Sequence, residues 1–216
     1  MTERILYDYF RSSAAYRVRI ALNLKELDYI QAPVSLVKGE QQGAAYLALN
    51  PQGLVPALSD NGVLLTQSLA ICEYLDEAYP DTPRLLPLEP VARARARAIA
   101  QSIACDIHPL NNLRVLNYLK GELGVGDESR NEWYRHWITQ GFAALERLLA
   151  DTAGSYCVGD NVTLADVCLV PQLFNARRFA VDLAPYPRLV AVGEALERLP
   201  AFAAAHPSRQ PDTPPA

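Results

Sequence analysis

The chain has 216 residues and a formal net charge of −4; half of its residues are hydrophobic and a fifth are charged. This length fits one large domain or two small ones, and the composition argues against wholesale disorder. No block of lysine or arginine marks a nucleic-acid-binding surface, and no apolar run approaches the roughly 20 residues that cross a bilayer. We therefore expect neither a nucleic-acid partner nor a membrane segment.

The cysteines and histidines are scattered along the chain. No C-x-x-C pair occurs, and the three histidines do not cluster, so we expect no metal site. The start of the chain, "MTERILYDYF", lacks the pattern of a secretion signal. Reduced cysteines packed as small hydrophobic residues, in a cytoplasmic protein, are the expectation for the four that the chain contains, Cys72, Cys105, Cys157 and Cys168.

The first 30 or so residues alternate between strand and helix patterns. Ile5–Tyr9 is short and rich in strand-forming residues, and apolar residues then recur at helical spacing from Ala14 to Leu24. The segment "YIQAPVSL" predicts a second strand, and its proline favours a position at the edge of a sheet.

The next 50 residues continue this pattern. The turn sequence "DNG" at 60–62 separates two strand-like runs and predicts a β-hairpin. Ser68 is the expected N-cap of a helix that stops before Pro80. The resulting order, β-α-β-(α)-β-β-α, predicts a small α/β domain.

A proline-rich stretch, "PDTPRLLPLEP" at 80–90, predicts a linker, so we place one domain at 1–82 and the second at 88–216. Beyond the linker the pattern is helical. "VARARARAIAQSIA" alternates arginine with alanine, but alanine is the best helix former and a poor strand former, so we predict a helix. The proline-rich tail, 206–216, is expected to fray.

Arg11, Ser12 and Ser13 lie at the join between the first strand and the first helix. Taken alone, two serines before a helix predict one N-cap and one solvated hydroxyl. Two other joins of the same α/β unit also carry groups suited to a ligand, and ligands commonly sit at such joins.

At the first of these joins, Val55-Pro56 opens a strand, so the valine backbone can pair with an extended peptide, and a cis peptide bond is plausible there. At the second, Gln67-Ser68 begins a helix, whose free N–H groups favour a carboxylate. A peptide-like ligand with a carboxylate at one end would satisfy all three joins.

The segments "YFRSSAAYRVRIALNLK", "ALNPQGLVPAL", "QSLAICEYL", "TLADVCLVPQLFNARRF" and "DLAPYPRL" resemble the zeta-class glutathione transferases of the maleylacetoacetate isomerase family. The resemblance covers nearly the whole chain, including the "RQPDTP" tail. It implies a thioredoxin-like N-terminal domain, an all-α C-terminal domain, a homodimer, and glutathione as cofactor. It also implies isomerisation of a cis-dicarboxylate, maleylacetoacetate or maleylpyruvate, through addition of the thiolate, bond rotation and elimination.

The resemblance assigns roles to residues of the first domain. Ser12, with Ser13 beside it, matches the serine that holds the glutathione sulfur, and Arg11 is placed to meet a substrate carboxylate. The glutathione-binding matches are Gln42 at the glycyl end, Val55 before a cis Pro56, and Gln67 with Ser68 at the γ-glutamyl carboxylate. Ala14 stands where the family has a cysteine, which puts thiol side chemistry at that position in doubt.

In the second domain, "DIHPLNNLRVL" matches a segment that closes over the thiol, so His108, Asn112 and Arg114 are candidate glutathione contacts. Arg178 matches an arginine that meets the acidic substrate, where a guanidinium can bind a carboxylate through two hydrogen bonds. Asp166, three residues after Thr163, completes a capping-box pattern, so we interpret it as structural.

Two alternative functions stay open at this point. A transferase acting on α-halo acids would use the same thiolate but consume glutathione. A non-catalytic glutathione-transferase-like binding module is a more distant alternative, because such modules commonly lose the hydroxyl beside the sulfur and this chain keeps Ser12 and Ser13.

Overall fold

The computed structural model describes residues 4–214. The chain forms two compact units. One contains the described residues up to Leu85 together with those from Arg198 onward, and the other is Leu86–Glu197. In the described part of the chain, no helix is long and apolar enough to cross a membrane, and no group of three or more His, Cys, Asp or Glu side chains is arranged to hold a metal ion.

The first unit is built on a four-stranded mixed sheet in the order β2-β1-β3-β4, with β1 parallel to β2 and antiparallel to β3. The predicted element order and the edge position of the second strand are confirmed. The strands are β1 (Arg4–Asp8), β2 (Ile30–Pro33), β3 (Ala57–Asp60) and β4 (Val63–Thr66), and the helices before the linker are α1 (Ser13–Leu24), α2 (Ala44–Leu49) and α3 (Ser68–Ala78).

The β3–β4 hairpin turns at Asn61 and Gly62, whose φ angles are 52° and 83°. A tight hairpin turn of the primed type needs positive φ at both central residues, and asparagine and glycine tolerate it best. The turn predicted from "DNG" is therefore confirmed.

Helix α1 is the buried centre of the first unit. Nine of its twelve residues are buried, and it packs against α3 and against a short C-terminal helix, α9 (Pro200–Ala205). Two arginines of α1 are among these buried residues, Arg17 and Arg19. The Arg19 guanidinium donates to Asp8 Oδ2 at 2.8 Å and to the carbonyl oxygen of Phe10 at 2.8 Å.

The C-terminal segment packs on the first unit, which corrects the assignment of all of 88–216 to the helical domain. The side chain of Asn23 donates to the Ala201 carbonyl at 3.0 Å, and Arg19 Nε donates to the Ala205 carbonyl at 3.1 Å. The cause is the requirement that α1 bury its outer face, which α9 covers.

The expectation that the tail frays is wrong for its described residues, 206–214. Gln210 is 7 % exposed and its amide donates to the carbonyls of Ala204 and His206. The carboxylate of Asp212 accepts from the Phe10 N–H at 2.9 Å. These hydrogen bonds hold a segment whose proline content predicted disorder.

The second unit is helical, and the helix predicted over "VARARARAIAQSIA" is confirmed as α4 up to Gln101, while its last three residues belong to a π-helical turn. A π-helical turn, Ser102–Ile107, and a 3₁₀ turn, His108–Asn111, follow α4. The helices are α4 (Pro90–Gln101), α5 (Leu113–Gly121), α6 (Asp127–Thr152), α7 (Leu164–Arg178) and α8 (Pro187–Glu197).

The capping box at the start of α7 is present, which confirms the structural interpretation of Asp166. The Asp166 carboxylate is fully buried and accepts from the Thr163 N–H at 2.7 Å, the Thr163 hydroxyl at 3.0 Å and the Cys157 N–H at 2.9 Å. Burial raises the pKa of this carboxyl, and hydrogen bonds from Cys157 and Thr163 oppose the rise.

Replacing Asp166 by alanine is expected to lower the free energy of unfolding by about 2–5 kcal/mol, because two buried N–H groups lose their acceptor. Urea unfolding followed by circular dichroism measures the loss. The control is Asp151→Ala, an exposed position near the end of α6. If Asp166→Ala were as stable as this control, the capping network would not stabilise the unit.

Candidate active site

The strand register brings the three predicted joins to one end of the sheet. Tyr7 of β1 pairs with Ala57 of β3, and Ala57 pairs in turn with Thr66 of β4. Because both pairings are antiparallel, β1 ends, β3 begins and β4 ends at the same end of the sheet. The segments that carry Ser12, Val55 and Ser68 therefore all leave the sheet at that end.

Ser12 is the N-cap of α1. Its backbone is extended (φ −69°, ψ 118°), and its Oγ accepts a hydrogen bond from the Ala15 N–H at 3.2 Å. This bond occupies a lone pair of the oxygen and leaves the hydroxyl proton available to a ligand. Helix capping and donation to a ligand are therefore compatible at this serine.

The two neighbours of Ser12 differ in exposure. Arg11 is exposed, and its guanidinium lies 5.7 Å from the centre of the Phe10 ring. Ser13, the first residue of α1, is 7 % exposed, so the solvated hydroxyl expected of one serine is not found. Arg11 is thus the accessible cation of this join.

The Val55-Pro56 peptide bond is cis, as the sequence suggested. Val55 is buried, with a relative exposure of 9 %, and it precedes the first ladder pair of β3. Its backbone N–H and C=O therefore lie beyond the end of the sheet ladder, where they are placed to pair with an extended peptide.

The start of α3 differs from the prediction at one residue. The N-cap is Gln67, with a φ of 70° and no side-chain capping bond, so the expectation that Ser68 is the N-cap is wrong. Ser68 lies inside the helix and its Oγ accepts from Arg17 Nη1 at 3.2 Å. The leading N–H groups of α3 are thus not capped by a side chain, a condition that favours an anion.

A set of glutamines connects the loop before β3 to the start of α3. Gln67 Nε2 donates to Gln52 Oε1 at 2.8 Å, and Gln42 Nε2 donates to the Gly53 carbonyl at 3.3 Å. Gly53 has a φ of 61°, and a Cβ there would lie 2.5 Å from Gln42 Nε2. The positive φ favours glycine at this position, and a Cβ would also lie only 3.0 Å from the backbone carbonyl oxygen of Gln41.

Sequence reasoning missed Arg17. This residue lies four positions before Ala21 and three after Ala14, on the apolar face of α1, and only 2 % of its surface is exposed. An arginine on a core-facing helix stripe was the available signal, because arginine is almost never buried without a specific partner.

The second unit holds the remaining candidate residues. His108 begins the 3₁₀ turn after the π-helical turn, and Asn112 is the N-cap of α5, where its Oδ1 accepts from the Arg114 N–H at 3.1 Å. The side chain of Arg114 is exposed in the first turn of that helix. Asn112 therefore has a structural role that its sequence match did not indicate.

The two adjacent arginines at the end of α7 differ in their contacts. Arg177 forms an ion pair with Glu197. Arg178 is exposed, and its guanidinium lies 4.7 Å from the centre of the Phe179 ring, which stacks on Tyr134 at 3.6 Å between ring centres. The guanidinium of Arg178 thus contacts an aromatic stack, and that of Arg177 contacts a carboxylate.

The cysteines do not supply a reactive thiolate in the buried core. Cys157 is fully buried, and burial raises the pKa of its thiol well above the ordinary value, with the Asp166 charge adding to the rise. Cys72 and Cys168 are also fully buried, while Cys105 is exposed. Among the described residues of the first unit Cys72 is the only cysteine, and its burial means that this unit's own side chains supply no accessible sulfur at the Ser12 join.

Two family models match the chain. The glutathione S-transferase N-terminal domain matches residues 3–77, and the glutathione S-transferase C-terminal domain matches residues 130–204.

Curated and solved relatives match over nearly their full lengths. A probable maleylacetoacetate isomerase of Vibrio cholerae is 55 % identical, over 98 % of this chain and 99 % of the relative. The holo structure of a maleylpyruvate isomerase, described as a bacterial zeta-class glutathione S-transferase, is 49 % identical with a TM-score of 0.95, over 97 % of this chain and all of the other. A maleylacetoacetate isomerase of Methylobacterium extorquens with bound malonate and GSH is 45 % identical with a TM-score of 0.93, over 98 % and 100 %.

Proposed function

The chain belongs to the glutathione S-transferase family, in its zeta class, and from this premise we propose that it is a glutathione-dependent cis–trans isomerase of maleylacetoacetate or maleylpyruvate. The observation that carries the proposal is that the segments with Ser12, Val55 and Ser68 leave one sheet at the same end. A hydroxyl that can donate to a sulfur, a backbone that can pair with a peptide and a helix start that favours an anion are thereby available to one small peptide.

The first unit fits glutathione at each of its parts. Ser12 would hold the sulfur, the Val55 backbone would pair with the cysteinyl unit, and Gln67 with Ser68 would bind the γ-glutamyl carboxylate. The uncapped start of α3 and the buried Arg17 guanidinium beside Ser68 both favour an anion at that end. Gln42, through its contact with Gly53, would lie toward the glycyl end.

In this proposal Ser12 helps to lower the pKa of the glutathione thiol, which requires a definite amount of free energy. When bound, glutathione supplies a thiolate that adds to the cis double bond, allows rotation and leaves unchanged by elimination. A free thiol has a pKa of about 8.5, and lowering it by two units requires about 2.7 kcal/mol. A hydroxyl donating to a charged group contributes about 1.5–3 kcal/mol, and a helix N-terminus adds about 0.3–1 kcal/mol. Ser12 at the start of α1 combines both sources.

Arginine side chains would provide the selectivity for an acidic substrate. Arg11, exposed beside Ser12, would hold one carboxylate of the dicarboxylate substrate, and Arg178, also exposed, would bind the other. The malonate bound to the Methylobacterium relative is also a dicarboxylate, which supports this class of ligand. His108 and Arg114 remain proposed contacts of the glutathione side, and Ser13 a proposed neighbour of the sulfur.

An absorbance assay with maleylacetoacetate and maleylpyruvate, with and without glutathione, tests the proposed reaction. We expect isomerisation that requires glutathione, with the amount of free thiol unchanged after many turnovers. Loss of one thiol per turnover would instead indicate a conjugating transferase, and thiol loss with α-halo acids would identify the dehalogenating alternative. Absence of isomerisation with both substrates would contradict the proposal.

A homodimer and a cytoplasmic location belong to the same proposal. The family resemblance supports the dimer, and sedimentation velocity would measure the mass. The thiol of Cys105 is exposed, and a reducing compartment that contains glutathione would keep it reduced.

A further inference from the structure

Arg17 is a buried cation whose hydrogen bonding is incomplete. Its residue is 2 % exposed, and Nη1 donates to Ser68 Oγ at 3.2 Å. Nε and Nη2 are buried and have no hydrogen-bond partner within residues 4–214. Burying a guanidinium without a counter-charge costs free energy, so some other interaction has to offset the burial of Arg17.

The other buried cations of the first unit provide an internal comparison. Each of them has a carboxylate partner: Arg4 with Asp60 at 3.3 Å, Arg19 with Asp8 at 2.8 Å and Lys25 with Asp76 at 3.1 Å. Among the described residues, Arg17 alone of these four makes no ion pair with a carboxylate. The unit therefore neutralises its buried cations except at the one that contacts Ser68.

The surroundings of Ser68 also favour an anion. Helix α3 is eleven residues long, and its N-cap, Gln67, makes no side-chain capping bond. Because Ser68 Oγ accepts from Arg17, the Ser68 hydroxyl has its own proton left to donate. The hydroxyl proton, the leading N–H groups of α3 and the charge of Arg17 thus form one cationic end of the site.

We propose that Arg17 is a positioning residue for the carboxylate of the γ-glutamyl unit of glutathione. It fixes the Ser68 oxygen so that the hydroxyl proton is directed to the carboxylate, and its buried positive charge is balanced when that carboxylate binds. The proposal rests on the proposed function, since it takes glutathione as the ligand.

The test compares glutathione with 4-aminobutyryl-Cys-Gly, which lacks only the α-carboxylate of the γ-glutamyl unit. Calorimetry measures the dissociation constants of both peptides. We expect the unsubstituted protein to bind glutathione about 10- to 100-fold more tightly than the analogue, and Arg17→Met to reduce that ratio to about threefold or less. A ratio that Arg17→Met leaves unchanged would overturn the proposal.

Thermal unfolding without ligand provides a second readout. Arg17→Met is expected to be at least as stable as the unsubstituted protein, because methionine fills the site without an uncompensated charge. The matched control is Arg4→Met, which removes a paired buried arginine at the opposite end of β1; it is expected to lower Tm and to keep the peptide ratio. An Arg17→Met variant that unfolds more readily than the Arg4→Met control would assign Arg17 a structural role and overturn the proposal.

Ser68→Ala keeps the test decisive in a variant that leaves the buried arginine in place. We expect it to lower the peptide ratio, and the double variant Arg17→Met/Ser68→Ala to lower it no further than Arg17→Met alone, because the two side chains act as one unit. Strictly additive losses would contradict coupling through Ser68. If the unsubstituted protein binds neither peptide, the proposed function itself fails; if it distinguishes them and the variants do so equally, only the role of Arg17 fails.

Discussion

Ser12→Ala is expected to lower kcat/KM for isomerisation by about 10- to 100-fold at pH 7. The variant loses a hydroxyl hydrogen bond to the thiolate worth about 1.5–3 kcal/mol, and each 1.36 kcal/mol corresponds to a factor of about ten in rate. The Ala15 N–H also loses its capping oxygen, so we expect a fall in stability of about 0.5–2 kcal/mol. Steady-state kinetics at saturating glutathione, on protein shown to be folded, measure the catalytic part.

Ser12→Thr separates the two roles of this serine, because threonine retains both the hydroxyl and the capping oxygen. We expect it to keep the stability of the unsubstituted protein and a much larger share of its activity than Ser12→Ala. A Ser12→Ala enzyme with near-native turnover would remove this serine from the mechanism, whatever its effect on stability.

Arg178→Ala is expected to raise KM for maleylacetoacetate or maleylpyruvate by about 10- to 100-fold, because a bidentate contact with a carboxylate is lost. The dissociation constant for glutathione is expected to stay within about twofold, since the proposed contacts of the tripeptide do not include this residue. Initial rates over a range of substrate concentrations, together with calorimetry of glutathione binding, give both quantities.

Arg177→Ala is the matched control, because it removes the neighbouring arginine, which forms an ion pair with Glu197 and which the family resemblance does not assign to the substrate. We expect its KM to remain close to that of the unsubstituted protein. Equal effects of the two substitutions would indicate a general loss of positive charge. An unchanged KM in Arg178→Ala would withdraw the assignment of Arg178 to the substrate.

Much of the fold could be predicted because local signals were strong and agreed with each other. The "DNG" turn fixed the β3–β4 hairpin, the threonine–aspartate spacing fixed the start of α7, and alanine content identified α4 despite its alternating pattern. Each of these signals acts within a few residues, so no tertiary information was needed.

The parts that could not be predicted depend on contacts between distant segments. The tail was expected to fray because prolines disfavour helix and sheet, yet Gln210 and Asp212 find partners in the first unit, far away in sequence. Ser68 was expected to cap α3, but its oxygen instead accepts from Arg17, 51 residues earlier in the chain. A single sequence does not indicate which distant residue becomes the partner in such pairings.

The candidate site could be predicted from the sequence in part. The residue types at Ser12, Val55 and Gln67 pointed to a peptide ligand with a carboxylate, and the strand register places their segments at the same end of the sheet. The buried charge at Arg17 was not predicted, since an arginine in a helix pattern is ordinarily taken as exposed.

The ultraviolet absorbance of the thiolate, titrated against pH with glutathione bound to the purified protein, tests the central claim most directly. The account predicts a pKa for the bound thiol about two units below the free value of about 8.5, and a return toward that value in Ser12→Ala. A bound thiol that titrates at the free value in the unsubstituted protein would contradict it.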